Sequence, residues 1–245
     1  MDYRKYNCIG REILGCVVAS IVVAGVLAWL FYRSWLALVL VTPVYIVVWK
    51  SYRKEKMLQR KTRLLMEFKD GMQALSAALY AGYSVENAWR EAEKELRELH
   101  GEDSLMCVEL AQLNAAVRMN RPIEKVLEEF AARSGCEDIE SFAEIFSFAK
   151  RSGGNFPGII RTTVQKMSGR IAVEQEIATM LAGKKLEGRI MDVMPVAILA
   201  YLNVSSGDFL EVLYGNALGV IVMTTALVVY AGALKLSERI LDIRV

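Results

Sequence analysis

The sequence predicts an all-α integral membrane protein, with four transmembrane helices in two hairpins flanking a cytoplasmic six-helix bundle. Three observations predict it. Apolar runs of about bilayer length stand in pairs near both ends of the 245 residues. Between them, from Leu64 to Arg189, the chain is charged and its apolar residues step by three and four, and nothing alternates with period two for long enough to be a strand. Lys and Arg crowd the outer flanks of the apolar pairs and avoid the turns inside them.

Residues 1–63 form the first hairpin and its basic tail. Ile13 to Tyr32 is twenty residues without a charge, about 30 Å of helix and so the thickness of a bilayer core. A signal peptide is the weaker reading, because no small-residue cleavage site follows and a second apolar run begins at once. Arg33-Ser34 turns the chain, and Trp35 to Trp49 returns, extended at the interface by Lys50 and Tyr52. Trp29, Tyr32, Trp35 and Trp49 fall where an aromatic belt is expected. Arg4, Lys5 and Arg11 precede the first span. Lys50, Arg53, Lys54, Lys56, Arg60, Lys61 and Arg63 follow the second against Glu55 alone, so both flanks are expected in the cytoplasm, with the basic stretch against anionic lipid.

Residues 64–189 read as six amphipathic helices. Their apolar stripes are Leu65, Phe68, Met72, Leu75 and Leu79; Val85, Trp89, Ala92, Leu96 and Leu99; Met106, Leu110, Leu113 and Val117; Ile123, Val126, Leu127 and Phe130; Ile139, Phe142, Phe146 and Ala149; and Ile160, Val164, Met167 and Ile171. Gly82 suits a left-handed helix end and Ser84 a cap for the next helix. Gly101 closes the second helix, and Asp103 or Ser104 opens the third. Pro122 is placed at a first helical position, Gly135 stops the fourth helix, and Gly153-Gly154 stop the fifth before Pro157 begins the sixth. Such short connections make neighbouring helices antiparallel. The sixth has no strong stop, so it is expected to run on into the third span. Gly71 and Gly169 lie inside helices, where tolerated surface glycine is the plainer reading and close helix approach the sharper one.

Residues 190–245 form the second hairpin, with spans at 190–206 and 217–236. The connection Gly207–Asn216 carries Asp208 and Glu211 and no basic residue, and Lys235, Arg239 and Arg244 follow the last span. Both termini are therefore expected inside. Three features stand out. Glu174 continues the sixth stripe where an apolar residue is expected, and pairs with a basic residue, contacts a partner, or marks the drift of the stripe outward. Asp192 lies just inside the third span, as a snorkelling charge or a working group. Gly215 and Gly219 make a GxxxG that permits close helix pairing.

Site chemistry is absent from the sequence. No P-loop, GxSxG, HExxH or paired-histidine spacing occurs, so no catalytic, cofactor-binding or metal-binding residue is assigned. The one histidine, His100, is expected as a solvated cation at a helix end. The four cysteines (Cys8, Cys16, Cys107, Cys136) lack metal or redox spacing and read as reduced thiols. The 30 basic and 28 acidic residues nearly cancel, and the basic stretch is expected against the membrane, where anionic lipid explains it better than nucleic acid.

The bundle and its tail resemble a known pattern. "LSAALYAGYSVENAW" is similar to the first signature of the type II secretion system F domain family. "FAARSGCEDIESFAEIFSFAKRSGGNFPGIIRTTVQKMSGRIAVEQEIATMLAGKKLEGRIMDVMP" resembles the second, which ends at a proline in a spanning helix, here Pro195. The likeness covers about Leu64 to Pro195. A single bundle between two hairpins is similar to the TadB and TadC proteins of tight-adherence (Flp) pilus systems. The resemblance implies a non-enzymatic platform of the cytoplasmic membrane, which binds a cytoplasmic assembly ATPase and helps lift prepilins from the bilayer. It carries over Gly82, Gly153, Gly154 and Pro195 as structural positions only. It also implies pairing with a second copy or a paralogous platform protein, since other members carry two bundles in one chain.

In an up-and-down bundle, the turns at Ala81–Ser84, Asn120–Pro122 and Ser152–Asn155 share the end away from the membrane. Glu86, Arg90, Arg118, Arg121, Lys150 and Arg151 surround them, and Arg118, Arg121, Lys150 and Arg151 are the candidate partner-binding residues. The competing reading treats them as solvated helix-end cations. Two other classes fit less well: a signalling adaptor, for which the outer loops are short, and a small transporter, for which polar groups at mid-span are scarce.

Overall fold

The computed structural model describes Tyr3 and residues 10–31, 41–205 and 217–241, and every regular element among them is an α-helix. In chain order these are α1 (Gly10–Phe31), α2 (Val41–Tyr80), α3 (Val85–His100), α4 (Leu105–Arg118), α5 (Ile123–Ser134), α6 (Glu137–Ser152), α7 (Phe156–Ser205) and α8 (Ala217–Leu241). The chain divides into two compact units, Met1–Asn7 with Arg53–Val173 and Cys8–Tyr52 with Glu174–Val245. The Arg33–Ser34 turn, the start of the return helix with Trp35, the Gly207–Asn216 connection, Gly215, and the basic positions Arg4, Lys5 and Arg244 lie outside the described residues, as do Cys8 and Tyr32.

The first unit is a helical bundle. Its core is an aromatic chain that crosses five helices. Phe130 of α5 lies 6.3 Å from Phe68 of α2, which meets Phe142 of α6 edge-on at 5.5 Å. Phe146, 6.1 Å from Phe142, meets Trp89 of α3 at 5.7 Å and Phe156 of α7 at 5.3 Å. Around it pack Leu64, Met72, Leu75, Leu96, Leu110, Ile139 and Ile160, all buried. Burying a side chain of this size is worth about 1.5–3 kcal/mol, so these stripes hold the helices together. Two stripe positions differ from expectation. Leu99 is 64% exposed because α3 ends one residue later, and the first stripe is anchored by buried Leu64, with Leu65 only half-buried.

The helix ends follow from local chemistry. Tyr83 N–H donates to the Ala78 carbonyl at 3.2 Å and Gly82 N–H to Leu79 at 3.1 Å. This paired closure needs a left-handed residue, and Gly82 supplies it at φ +90°. Asn120 does the same after α4 at φ +59°, with Arg121 N–H on Ala116 and Asn120 N–H on Val117. Ser84 Oγ accepts from Asn87 N–H at 3.4 Å, and Ser104 Oγ from Cys107 N–H at 3.1 Å. Pro122 is the capping residue before α5 and not its first residue, because its ψ of 126° is still extended. Gly71 is buried, and a methyl group there would meet Leu96 and Leu110 at 3.6 and 3.7 Å, so the close-approach reading holds for it. Gly169 faces open space.

The second unit holds α1, the first part of α2, the last part of α7, and α8. Among the described residues, one helix is long and apolar enough to cross a membrane, at Leu218–Ser237 in α8, twenty residues with mean hydropathy 1.8. Leu14–Val26 of α1 is apolar but shorter. In α7 the apolar part that ends at Ser205 is short for a bilayer and includes Asp192. Leu30 and Met223 are buried in a small cluster with Val196, Leu199, Ala200 and Leu227. By contrast, Val22, Val193, Ile198, Val204, Leu218, Ile221, Val228 and Val229 are all exposed. Asp192 is half-buried, its carbonyl accepting from Tyr230 OH and its carboxylate from Ser237 Oγ at 3.4 Å. Helix α7 runs through Pro195 without a break.

Candidate partner surface at one end of the bundle

Two side-chain contacts tie the three turns into one surface. The Arg161 guanidinium of α7 stacks over Tyr80 at the end of α2, 4.6 Å from the ring centroid. Lys150 Nζ near the end of α6 reaches Glu124 Oε1 at the start of α5, at 3.2 Å. The ends of α2, α4 and α6 and the starts of α5 and α7 therefore gather together, as the up-and-down arrangement requires.

The four candidate cations behave differently. Arg121 Nη2 lies 2.6 Å from Glu129 Oε1, and Lys150 is held by Glu124, so two of the four charges are balanced locally. Burial pushes the Glu124 carboxyl up, but its backbone N–H at the helix start, Lys150 and Arg151 outweigh that and hold it below the usual range. Arg118 Nε donates only to the Asn114 carbonyl, and Arg151 to Ser147 Oγ at 2.9 Å and its carbonyl at 3.2 Å. Arg90 donates to Asn87 Oδ1. Among the described residues, Arg90, Arg118, Arg151 and Arg161 thus lack a carboxylate at ion-pair distance. Of the four, Arg121 and Lys150 are therefore balanced within the bundle, whereas Arg118 and Arg151 carry open charge at this end, as does Arg161. Four large apolar side chains at the same end were not anticipated. Tyr80, Tyr83, Met119 and Phe148 are each more than half exposed. Arginine, tyrosine, phenylalanine and methionine are the residue types enriched where proteins dock.

The basic stretch of α2 is also divided. Lys50, Arg53 and Lys54 are exposed and Lys56 half-buried. Arg60 lies over the Tyr3 ring at 5.0 Å, Lys61 Nζ donates to the Gly135 carbonyl at the end of α5 at 2.8 Å, and Arg63 pairs with Glu67 at 2.8 Å. These last three serve the bundle. Glu67 is itself buried, and its second oxygen accepts from Met106 N–H at 3.0 Å. A carboxylate from α2 thereby caps the positive end of α4.

Tyr3 is the least legible of these residues. It is 2% exposed, its OH donates to Glu109 Oε1 at 3.0 Å, and its N–H donates to the Arg133 carbonyl at 3.1 Å. Burial, then the Glu109 carboxylate, push its hydroxyl well above the usual phenol range. Arg133 Nη2 closes the cluster on Glu109 Oε2 at 2.8 Å. The signal for Glu109 was present in the sequence: it lies between Met106 and Leu113 on the α4 stripe. His100, expected in solvent, has a partner, since its Nε2 lies 2.9 Å from Asp70 Oδ2. Glu174 is half-buried on α7.

Cys16 and Cys107 are buried and outside any disulfide, and burial pushes the Cys136 thiol up, which suits inert structural cysteines. Gly82 and Gly153, at φ +90° and +66°, end helices, while Gly154 has no such role. Comparison of the chain with protein-family models, with curated proteins and with solved structures finds no match in any of the three.

Proposed function

We propose that the chain is a multi-pass platform protein of the cytoplasmic membrane, in a type IV-like (Tad/Flp) pilus or type II secretion assembly. In this reading four spans hold the bundle and both termini in the cytoplasm, an assembly ATPase docks on the bundle, and prepilins are guided from the bilayer. The observation that carries it is the continuity of two helices. α2 has 40 residues and α7 has 50, about 60 and 75 Å, and each passes unbroken from bundle stripe to apolar segment. A helix is stiff along its axis, so a displacement of the bundle by a partner is delivered into the membrane segments without any site chemistry. The open arginines and the exposed Tyr83, Met119 and Phe148 are the docking face for an acidic surface on the ATPase. The basic residues Lys50, Arg53 and Lys54 rest on anionic lipid.

The decisive experiment separates coupling from binding. A flexible Gly-Ser insertion after Gly183 leaves both halves of α7 intact but uncouples them. Pilus or pseudopilus assembly should be lost while membrane insertion and ATPase co-purification persist. Normal assembly with the insertion in place would refute mechanical coupling. Charge reversal at Arg118 and Arg151 should do the converse, abolishing co-purification in a salt-sensitive manner.

A further inference from the structure

Tyr3 is far in sequence from the helices it lies on, and each part of it meets a different one. Its ring lies under the Arg60 guanidinium of α2, 5.0 Å from the centroid. Its hydroxyl donates to Glu109 Oε1 of α4, and its backbone N–H donates to the Arg133 carbonyl of α5. Arg133 stands in the last turn of α5, where carbonyls have no partner within the helix, so that acceptor is a property of the helix end. The carboxylate is also held by the bundle itself. Arg133 Nη2 lies 2.8 Å from Glu109 Oε2 and Nη1 lies 3.4 Å from Oε1, which fixes Glu109 without the phenol. The bundle alone therefore builds the pocket, and its three walls read the ring, the hydroxyl and the backbone of one tyrosine separately. It lies at the other end of α5 from the Arg121 turn, apart from the docking face. Tyr3 itself has no helical connection to the bundle, because all of Cys8–Tyr52 intervenes and belongs to the other unit. A segment anchored by one side chain opens at low free energy, since ordering it costs entropy that few contacts offset.

We propose that this is a tyrosine-binding pocket of the bundle, filled in cis by Tyr3, and that the stretch Met1–Asn7 is a strap the bundle releases and retakes without unfolding. The ligand it takes is a peptide that presents an unmodified tyrosine with its backbone N–H free. The Arg60 guanidinium favours an aromatic ring of any kind. Phenylalanine keeps that ring but deprives the buried Glu109 carboxylate of a donor. Phosphotyrosine brings a second anion against the same carboxylate and is refused. When the strap is released, the pocket accepts such a peptide in place of the chain's own tyrosine. None of this depends on what docks at the end of the bundle.

The full chain in detergent tests it in two ways. In the isotope-labelled wild type, the Tyr3 amide should exchange about tenfold or more faster than the slowest amides of α4 and α5, yet slower than an unprotected amide. Exchange as slow as theirs would make Tyr3 an integral part of the core, and unprotected exchange would leave it undocked; either result overturns the strap. In Tyr3→Ala the pocket is empty, and helical content is checked by circular dichroism. A fluorescent peptide of sequence Met-Asp-Tyr-Arg-Lys-Tyr-Asn should bind this variant, read by anisotropy. The wild type should bind it about tenfold or more weakly, because its own strap competes at high effective concentration. Phenylalanine in place of the peptide's first tyrosine should weaken binding about tenfold, phosphorylation there should abolish it, and phenylalanine in place of the second should change nothing. A Tyr3→Ala chain that loses its helices, no binding to it at millimolar peptide, equal binding to the wild type, or indifference to the first tyrosine would each overturn the proposal.

Discussion

Arg133→Met tests whether the buried Glu109 carboxylate is held by its neighbours. The Glu109 side chain is 2% exposed and Arg133 is 37% exposed. Removing one partner of a buried ion pair costs about 3–5 kcal/mol, because the other charge is left uncompensated. Here the loss sits lower, at about 2–3 kcal/mol, since water reaches Arg133 and screens the pair, and Tyr3 OH still donates to the carboxylate. Tyr3→Phe removes a single hydrogen bond to a charged acceptor, about 1.5 kcal/mol. Both side chains donate to the one carboxylate, so the two substitutions should be coupled, and the double variant should depart from the sum by about 1 kcal/mol. Hydrogen exchange in α4 and α5 reads this within the bundle unit alone. At a factor of ten for every 1.4 kcal/mol, Arg133→Met should speed the slowest amides by about 30- to 150-fold. Exchange within about threefold of wild type would refute the reasoning, because a buried carboxylate without its cation cannot be that cheap.

Glu124 gives a pH dependence. Its folded-state pKa is depressed, so its contribution is present above the ordinary carboxylate value of about 4.3 and is lost as pH falls through the lower folded value. Thermal unfolding of Glu124→Gln should therefore lie below wild type at neutral pH and converge with it in acid; parallel curves would dismiss the effect. Two glycines predict opposite signs. Gly71→Ala places its methyl at ordinary contact distance inside a helix and should stabilise by about 0.5–1 kcal/mol, whereas Gly82→Ala at φ +90° should destabilise by about 1 kcal/mol or more, both read by denaturant midpoint. Topology is checked by a reporter active only outside the cell, which should be silent after Arg63 and Val245 and active after Asp208. Activity after Arg63 would invert the arrangement.

Period and punctuation made the bundle readable, because each stripe faces one core and each helix end has a local cause. Phe68, Trp89, Phe142 and Phe146 were all on predicted stripes, and Gly82, Ser84 and Gly101 end or start helices where their own chemistry requires it. Charge was far less readable, and for a physical reason. A cation's role depends on which carboxylate a different helix brings within about 4 Å, and that distance is a product of register and not of spacing along the chain. Lys150 met Glu124 and His100 met Asp70 across helices, while Arg161 and Arg151 found no acid among the described residues; Arg63 with Glu67, four residues on in the same helix, followed from spacing. The same limit explains Tyr3, whose pocket is assembled from Arg60, Glu109 and Arg133 on three different helices. It also bears on how the partner face works. A surface built only of Arg118, Arg121, Lys150 and Arg151 would attract any acidic chain, and salt would erase it. In the proposed docking, with two of those charges tied to the bundle, exposed apolar side chains such as Tyr83 and Met119, which need a shaped counterpart, would add selectivity to the charge complementarity that Arg118 and Arg151 supply.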